Sequence, residues 1–258
     1  MDRRDFLCSA AASVIAQAVR GQAPSSIEGR RTICALSSLP RGNDVRLLKY
    51  ALSLAGKPRP KLLLIPTAVG DDPRWIEFWV KRLVPKIDCE FEILRLFGDS
   101  TNMKAHHPRI MNTDAIFVAG GNTLNALAVW RAQGIDASLR AAWEKGVVLS
   151  GESAGMICWF EQGLSDSRPE KLSVVEGLGF LPGSVCPHHD NAERRDTYRE
   201  LVARGEIKAG YGCDGGTALM FRDTKFDKAV TTDVVRRVVS YTRVGDAVQE
   251  HALSVEVI

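Results

Sequence analysis

The chain has 258 residues, 45% of them hydrophobic and 25% charged, which is enough apolar material for the full core of one α/β domain. Its net charge is +3 with basic residues dispersed among acids, a mixed surface that argues against nucleic acid as a partner. Its six cysteines include no C-x-x-C pair, which argues against a disulfide framework and a thiolate zinc site.

At the N-terminus, Arg3-Arg4-Asp5-Phe6-Leu7 precedes a small, apolar stretch from Cys8 to Val19. Small-x-small sites stand at Ala16-Gln17-Ala18 and Gly21-Gln22-Ala23. The layout resembles a twin-arginine export signal, with an apolar segment too short to span a membrane in the mature protein. A periplasmic location follows from that reading; a cytoplasmic protein with an N-terminal extension is the alternative. Residues 1–30 are therefore set apart as a leader, and residues 31–258 are expected to form a single catalytic domain.

From there the pattern alternates. Thr32–Leu36 reads as a strand and Asp44–Ala55 as an amphipathic helix stopped by Gly56 and Pro58. Lys61–Ile65 is a near-continuous apolar strand, and Pro73 opens a helix to about Val84 with Trp75, Phe78 and Trp79 on its core stripe. Phe91–Leu96 alternates like a strand, and Thr101–His107 begins a short helix. Ala115–Ala119 is a buried strand that runs into Gly120-Gly121-Asn122-Thr123, followed by helices over Leu124–Arg131 and Ile135–Lys145. Apolar strands alternating with amphipathic helices predict an α/β fold of three layers, a doubly wound, mostly parallel sheet with helices on both faces. Beyond Gln162 the pattern changes to short strands and turns over 163–187, a polar helix over Asn191–Ala203, and antiparallel strand pairs over Thr217–Val244.

The chemistry centres on residues 147–155, where an apolar strand ends in Gly151-Glu152-Ser153-Ala154-Gly155 and a helix follows. Strand, Gly-x-Ser-x-Gly and helix form the sequence signature of a nucleophile elbow, in which a strained turn lifts the serine above the sheet edge. A plain strand-to-helix turn has the same five residues, so Ser153 needs partners. Among the histidines, the pair in Cys186-Pro187-His188-His189-Asp190 lies after a short strand, where site residues of such sheets collect. Gly120-Gly121 offers backbone amides unobstructed by side chains, as an oxyanion requires.

Taken together, Phe117-Val118-Ala119-Gly120-Gly121-Asn122-Thr123, Gly151-Glu152-Ser153-Ala154-Gly155, Cys186-Pro187-His188 and Asp214-Gly215-Gly216-Thr217-Ala218-Leu219 resemble, in order and spacing, the peptidase E family of serine peptidases, relatives of the cyanophycinases. The resemblance covers roughly residues 31–243. It implies a sheet related to class I glutamine amidotransferases, with serine in place of their cysteine. Ser153 would be the nucleophile, His188 the base, and Gly121 and Ala154 the oxyanion donors, with Gly120, Asn122, Thr123 and Glu152 against the substrate. No cofactor or metal is implied. The implied partner is a small peptide, such as a dipeptide with N-terminal aspartate, with no nucleic acid and no stable membrane insertion; a homodimer is left open. The orienting acid departs from the pattern: the family's slot is Gly215, and Asp214 stands one residue earlier. Asp214 is the first candidate, Asp166 the alternative, and Asp190 a third that is expected instead to cap the polar helix. The loop Ser37-Ser38-Leu39-Pro40-Arg41 also departs from the resemblance, since relatives are Gly-rich there; it borders the site, so substrate choice is expected to differ. An amidotransferase-like hydrolase, an esterase, or a member that has lost catalysis and binds a small molecule or protein is the alternative reading.

If the leader is processed, mass spectrometry of the protein from its native host will find an N-terminus just after Ala18 or Ala23; an intact Met1 or Asp2 would remove the export reading.

Overall fold

Thr32–Leu36 (β1), Lys61–Ile65 (β2), Glu90–Ile93 (β3), Ala115–Val118 (β4) and Val148–Glu152 (β5) form the parallel centre of the fold, paired in the order β1-β5-β4-β2-β3. The structure is a computed structural model that describes residues 31–40, 44–97, 105–245 and 247–258. β1 and β4 are buried along their whole length because both faces of the sheet are covered. Alternation assigns the side chains: Ile33, Ala35, Ile116, Val118 and Leu149 enter one core, and Cys34, Leu36, Phe117 and Val148 the other.

Helices close both faces. Arg46–Ser53 (α1) and Pro73–Phe78 (α2), the latter continued by a π-helical turn over Trp79–Leu83, lie on one side. Leu47, Leu48, Ala51, Trp79 and Leu83 supply that core. His106–Met111 (α3), Thr123–Gln133 (α4) and Ile135–Lys145 (α5) lie on the other, with Trp130, Leu139 and Trp143 fully buried. After β5 comes a single helical turn, Ala154–Ile157 (α6).

The second half builds more than the pattern foretold. Phe160–Ser165 (β6), Ser173–Glu176 (β7), Leu181–Pro187 (β8) and Gly210–Cys213 (β9) belong to a separate sheet, with Ala192–Arg204 (α7) between β8 and β9. Thr217–Arg222 (β10) and Lys225–Thr231 (β11) return to the large sheet, where β10 pairs antiparallel with β1. Val238–Val244 (β12) and Ala247–Ala252 (β13) extend the small sheet, and Val255–Val257 (β14) adds an edge strand to the large one. The orders are β14-β11-β10-β1-β5-β4-β2-β3 and β13-β12-β9-β8-β6-β7. Phe160, Leu181, Val185, Cys213 and Val238 pack the small sheet into the core shared with α4 and α5, and Tyr198 and Val202 of α7 cover its other face.

Three local expectations change. Phe78 is 46% exposed while Trp79 is 1% exposed, because Trp75, Trp79 and Leu83 follow one another at i+4 and Phe78 falls beside that stripe. The strand expected to reach Leu96 ends at Ile93, and Leu94 and Leu96 are buried from the loop beyond it. Most of the Thr101–His107 expectation lies outside the described residues; the helix there is α3.

The connection from β5 to α6 depends on a close approach. A Cβ on Gly155 would collide with the carbonyl oxygen of Val118 on the neighbouring strand. Replacing Gly155 with alanine should therefore destabilise the fold by at least about 1–3 kcal/mol of overpacking. Thermal unfolding will show this as a Tm lower by roughly 2–4 °C per kcal/mol in a chain of this size.

Candidate active site

Ser153 stands between β5 and α6 with φ 53° and ψ −106°, a positive φ without glycine. Such a conformation costs of order 1–3 kcal/mol and survives where the surroundings over-determine it. They do so here. The Ser153 N–H is shared between the carbonyls of Leu36 (3.1 Å) and Ser37 (3.2 Å) at the end of β1, while Met156 and Ile157 N–H donate to the Ser153 carbonyl. The side chain is left half-buried at the carboxyl end of the sheet, where open α/β sheets place their sites.

His188 follows the last residue of β8 and is also at positive φ, 55°. Its Nε2 lies 2.9 Å from Ser153 Oγ. The backbone is held from both sides: the N–H donates to Ser37 Oγ at 2.8 Å, and the carbonyl accepts from Asn191 N–H at 3.0 Å. Burial pushes the imidazole pKa below its ordinary value, and the Arg194 guanidinium adds to this, against the pull of Asp190 and Asp166. The ring is thereby kept neutral, the form that can accept a proton from a serine hydroxyl.

The expected contact between Asp214 and His188 is not made. Asp214, at the end of β9, faces His189: its Oδ1 is 3.7 Å from His189 Nδ1, and its Oδ2 accepts from Arg237 N–H at 2.9 Å. His189 Nε2 in turn meets the Tyr241 hydroxyl at 2.7 Å. Burial works against the Asp214 carboxylate, but His189 and Arg237 outweigh it and hold its pKa below the usual range. Asp214 stands just past β9 and before the Gly215-Gly216 turn, and its side chain is taken up by His189 and the Arg237 amide. A Cβ on Gly215 would instead lie 3.2 Å from Ser38 Oγ and 3.5 Å from Asp190 Oδ1, facing the His188 loop.

Nor do the other acids reach the ring. Asp166 is exposed and pairs with Arg194 at 2.6 Å. Asp190 does not cap α7; Asn191 does, accepting from Arg194 N–H, because its side chain is one residue nearer the first free amides. Asp190 accepts from Gly215 N–H at 2.8 Å and from Arg236 at 3.1 Å. Among the described residues no carboxylate oxygen lies within 4.0 Å of a His188 ring nitrogen.

The Gly121 and Ala154 N–H groups have no hydrogen-bond partner among the described residues, as an oxyanion site requires. Gly121 has φ 127°, and a Cβ there would collide with the carbonyl of Ala68. Gly120 backs onto the nucleophile, its Cβ position 3.3 Å from Ser153 Cβ. Asn122 and Thr123, expected at the substrate, use their polar groups inside the protein. Asn122 caps α4 and donates to the Ser167 carbonyl at 3.0 Å, while the N–H of buried Thr123 donates to Ser167 Oγ at 2.8 Å. Glu152 is half-buried and accepts from Leu39 N–H at 2.7 Å, pinning the loop after β1; burial raises its pKa despite that bond.

The loop of Ser37 and Ser38 was expected at the border of the site, but neither serine was assigned a role in it. Ser37 Oγ bridges His188 N–H and the Cys213 carbonyl, and Ser38 Oγ accepts from Gly216 N–H at 3.1 Å. Two hydroxyls in a loop where the resembled family is Gly-rich were the available signal. Among the described residues, no group of three or more His, Cys, Asp and Glu side chains could hold a metal ion.

With this geometry in view, comparison with known proteins is informative. The family model for peptidase family S51 matches residues 34–229. The chain is 37% identical over 191 residues to the uncharacterized peptidase YgaJ of Bacillus subtilis (strain 168), covering 74% of this chain and 81% of that protein. Among solved structures, a peptidase from an acI-B1 actinobacterium superposes with a TM-score of 0.63 at 20% identity, covering 88% of this chain and 98% of the other. A peptidase E candidate from Listeria monocytogenes EGD-e gives 0.59 at 20% identity, covering 79% and 100%. At that identity the two structures speak for the fold.

Because the His188 pKa is lowered, the basic form persists below the ordinary histidine value of about 6.5. Hydrolytic kcat/KM should therefore stay level as pH falls past that value and decline only below it, which a pH–rate profile of the free enzyme will read.

Proposed function

Because the chain belongs to peptidase family S51, we propose that it is a serine peptidase that cleaves an amide in small peptides through an acyl-enzyme on Ser153. The observation that carries this reading is the 2.9 Å approach of His188 Nε2 to Ser153 Oγ, with the Gly121 and Ala154 amides unpartnered among the described residues. Ser153 Oγ attacks the carbonyl carbon as its proton passes to His188 Nε2. The oxyanion takes hydrogen bonds from Gly121 and Ala154 N–H, donors of the kind whose loss costs about 10²–10³ in kcat. His188 then returns the proton to the leaving amine, and a water activated by the same ring releases the acyl group.

In this reading the catalytic unit is a dyad. Asp166 and Asp190 favour the imidazolium from a distance, without a hydrogen bond to Nδ1. Removing the acid from a triad costs about 10⁴ in kcat. That Nδ1 has no hydrogen-bond partner among the described residues also favours a second reading, an esterase, because an alkoxide leaving group demands less of the general acid than an amine.

Dipeptides with N-terminal aspartate are the proposed substrates. The resemblance to peptidase E supports them, and so does Arg194, a guanidinium only 12% exposed that acts electrostatically on His188 and is shared with Asp166. A substrate carboxylate would compete with Asp166 for its planar fork.

A panel of dipeptides, p-nitroanilides and p-nitrophenyl esters decides among these. Wild type should hydrolyse Asp-X in preference to Ala-X, and Ser153→Ala should lose the activity by about 10³-fold or more. Arg194→Met should erase the Asp preference while retaining turnover of Ala-X. Equal rates for wild type and Ser153→Ala would eliminate the serine mechanism, and ester turnover without peptide turnover would leave the esterase.

A further inference from the structure

We propose that Ser37 is a positioning residue that sets the distance between nucleophile and base across the two sheets. The inference rests on the reading of Ser153 and His188 as the catalytic dyad. Ser153 is carried by β5 and α6 of the large sheet, whereas His188 is carried by β8 of the small one. No single strand or helix sets their separation, so it depends on what ties the two sheets together at this point.

Ser37, fully buried just past the end of β1, contacts both halves. Its carbonyl accepts from Ser153 N–H at 3.2 Å, and its own N–H donates to the Thr217 carbonyl at 2.8 Å. These backbone bonds anchor it to the large sheet. Its side chain reaches the small sheet, where Oγ lies 2.8 Å from both the Cys213 carbonyl and the His188 amide. The direction of both bonds is determined. A carbonyl can only accept, so the hydroxyl donates to Cys213; the hydroxyl's lone pair is then what receives the His188 N–H.

Cys213 and Pro187 are register partners in the β8–β9 pair, so the Ser37 hydroxyl clasps two neighbouring strands where they leave the sheet. The bond to His188 acts on a residue whose φ of 55° is unfavourable for a non-glycine side chain. The His188 carbonyl is held separately by Asn191 N–H, so loss of the Ser37 bond frees one side of a strained residue rather than the whole loop. His189 does not duplicate the tie: its ring is fixed by Tyr241 and its N–H by the Cys213 carbonyl, both within the small sheet. The Ser37 hydroxyl is thus the link from the base's own backbone to the sheet that carries the nucleophile.

The test removes the hydroxyl and leaves the backbone anchors. In Ser37→Ala, kcat per active site should fall about 10–100-fold, the scale of a misplacement near 1 Å, while KM stays within about threefold. Labelling of Ser153 by a fluorophosphonate should slow by the same factor. The acid limb of kcat/KM should move up toward the ordinary histidine value of about 6.5 as the ring gains water. Ser37→Cys is slightly larger and keeps a weak donor and acceptor; it should fall between alanine and wild type, and it serves as the test if Ser37→Ala does not fold. A folded Ser37→Ala with wild-type kcat, labelling rate and pH limb would overturn the positioning role, as would a lowered Tm with unchanged kcat per labelled site. Equal activity of wild type and Ser153→Ala would instead overturn the dyad itself.

Discussion

The structure turns on how closely α6 approaches β4. The first turn of that helix rests against the carbonyl of Val118 at a distance that excludes any side chain at Gly155. With the helix start pressed against the neighbouring strand, the chain has to reverse within one residue, and Ser153 takes up the strain at φ 53°. The same approach leaves the Ala154 N–H, next to the serine, without a partner among the described residues, and the N–H of the exposed Gly121 past β4 is likewise without one. Nucleophile exposure and oxyanion donors are therefore consequences of one packing contact.

Charge is handled with comparable economy. The base is kept neutral mainly by burial, reinforced by a nearby guanidinium, and no carboxylate touches it among the described residues. The acid that the motif suggests is engaged one residue away, in a buried group of Asp214, His189, Tyr241 and the Arg237 amide that braces the small sheet. Orientation of the catalytic ring thus falls to backbone bonds at both sides of His188 and to the hydroxyl of Ser37. A base held this way loses the electrostatic help of an adjacent carboxylate, but it retains a defined position.

Much of this was legible before the structure. The central strands, the helices that cover them, the elbow and the Gly120-Gly121 turn all follow from local apolar runs and turn chemistry, which act over a few residues. The small sheet was not legible, because β6, β8 and β9 carry Gly, Pro and polar residues where the central strands have continuous apolar runs. The role of Asp214 was half legible. Its displacement from the family's slot was visible; that His189 would receive the carboxylate was not. Asn122 and Thr123 illustrate the converse. Their place beside the Gly-Gly turn suggested substrate contact, yet the loop at Ser165 and Ser167, distant in sequence, takes up their hydrogen-bonding capacity.

By itself, then, the amino-acid sequence determined the α/β class, the strained serine turn and the family of serine peptidases to which the chain belongs. These depend on residue identity at short range: glycines where backbones must touch, apolar runs where both sheet faces are covered. The tertiary structure alone decided that no candidate carboxylate reaches His188 among the described residues, and that the Ser37 hydroxyl joins the histidine to the large sheet. Those outcomes depend on how two sheets are set against each other, a relation among segments more than a hundred residues apart that no local pattern encodes.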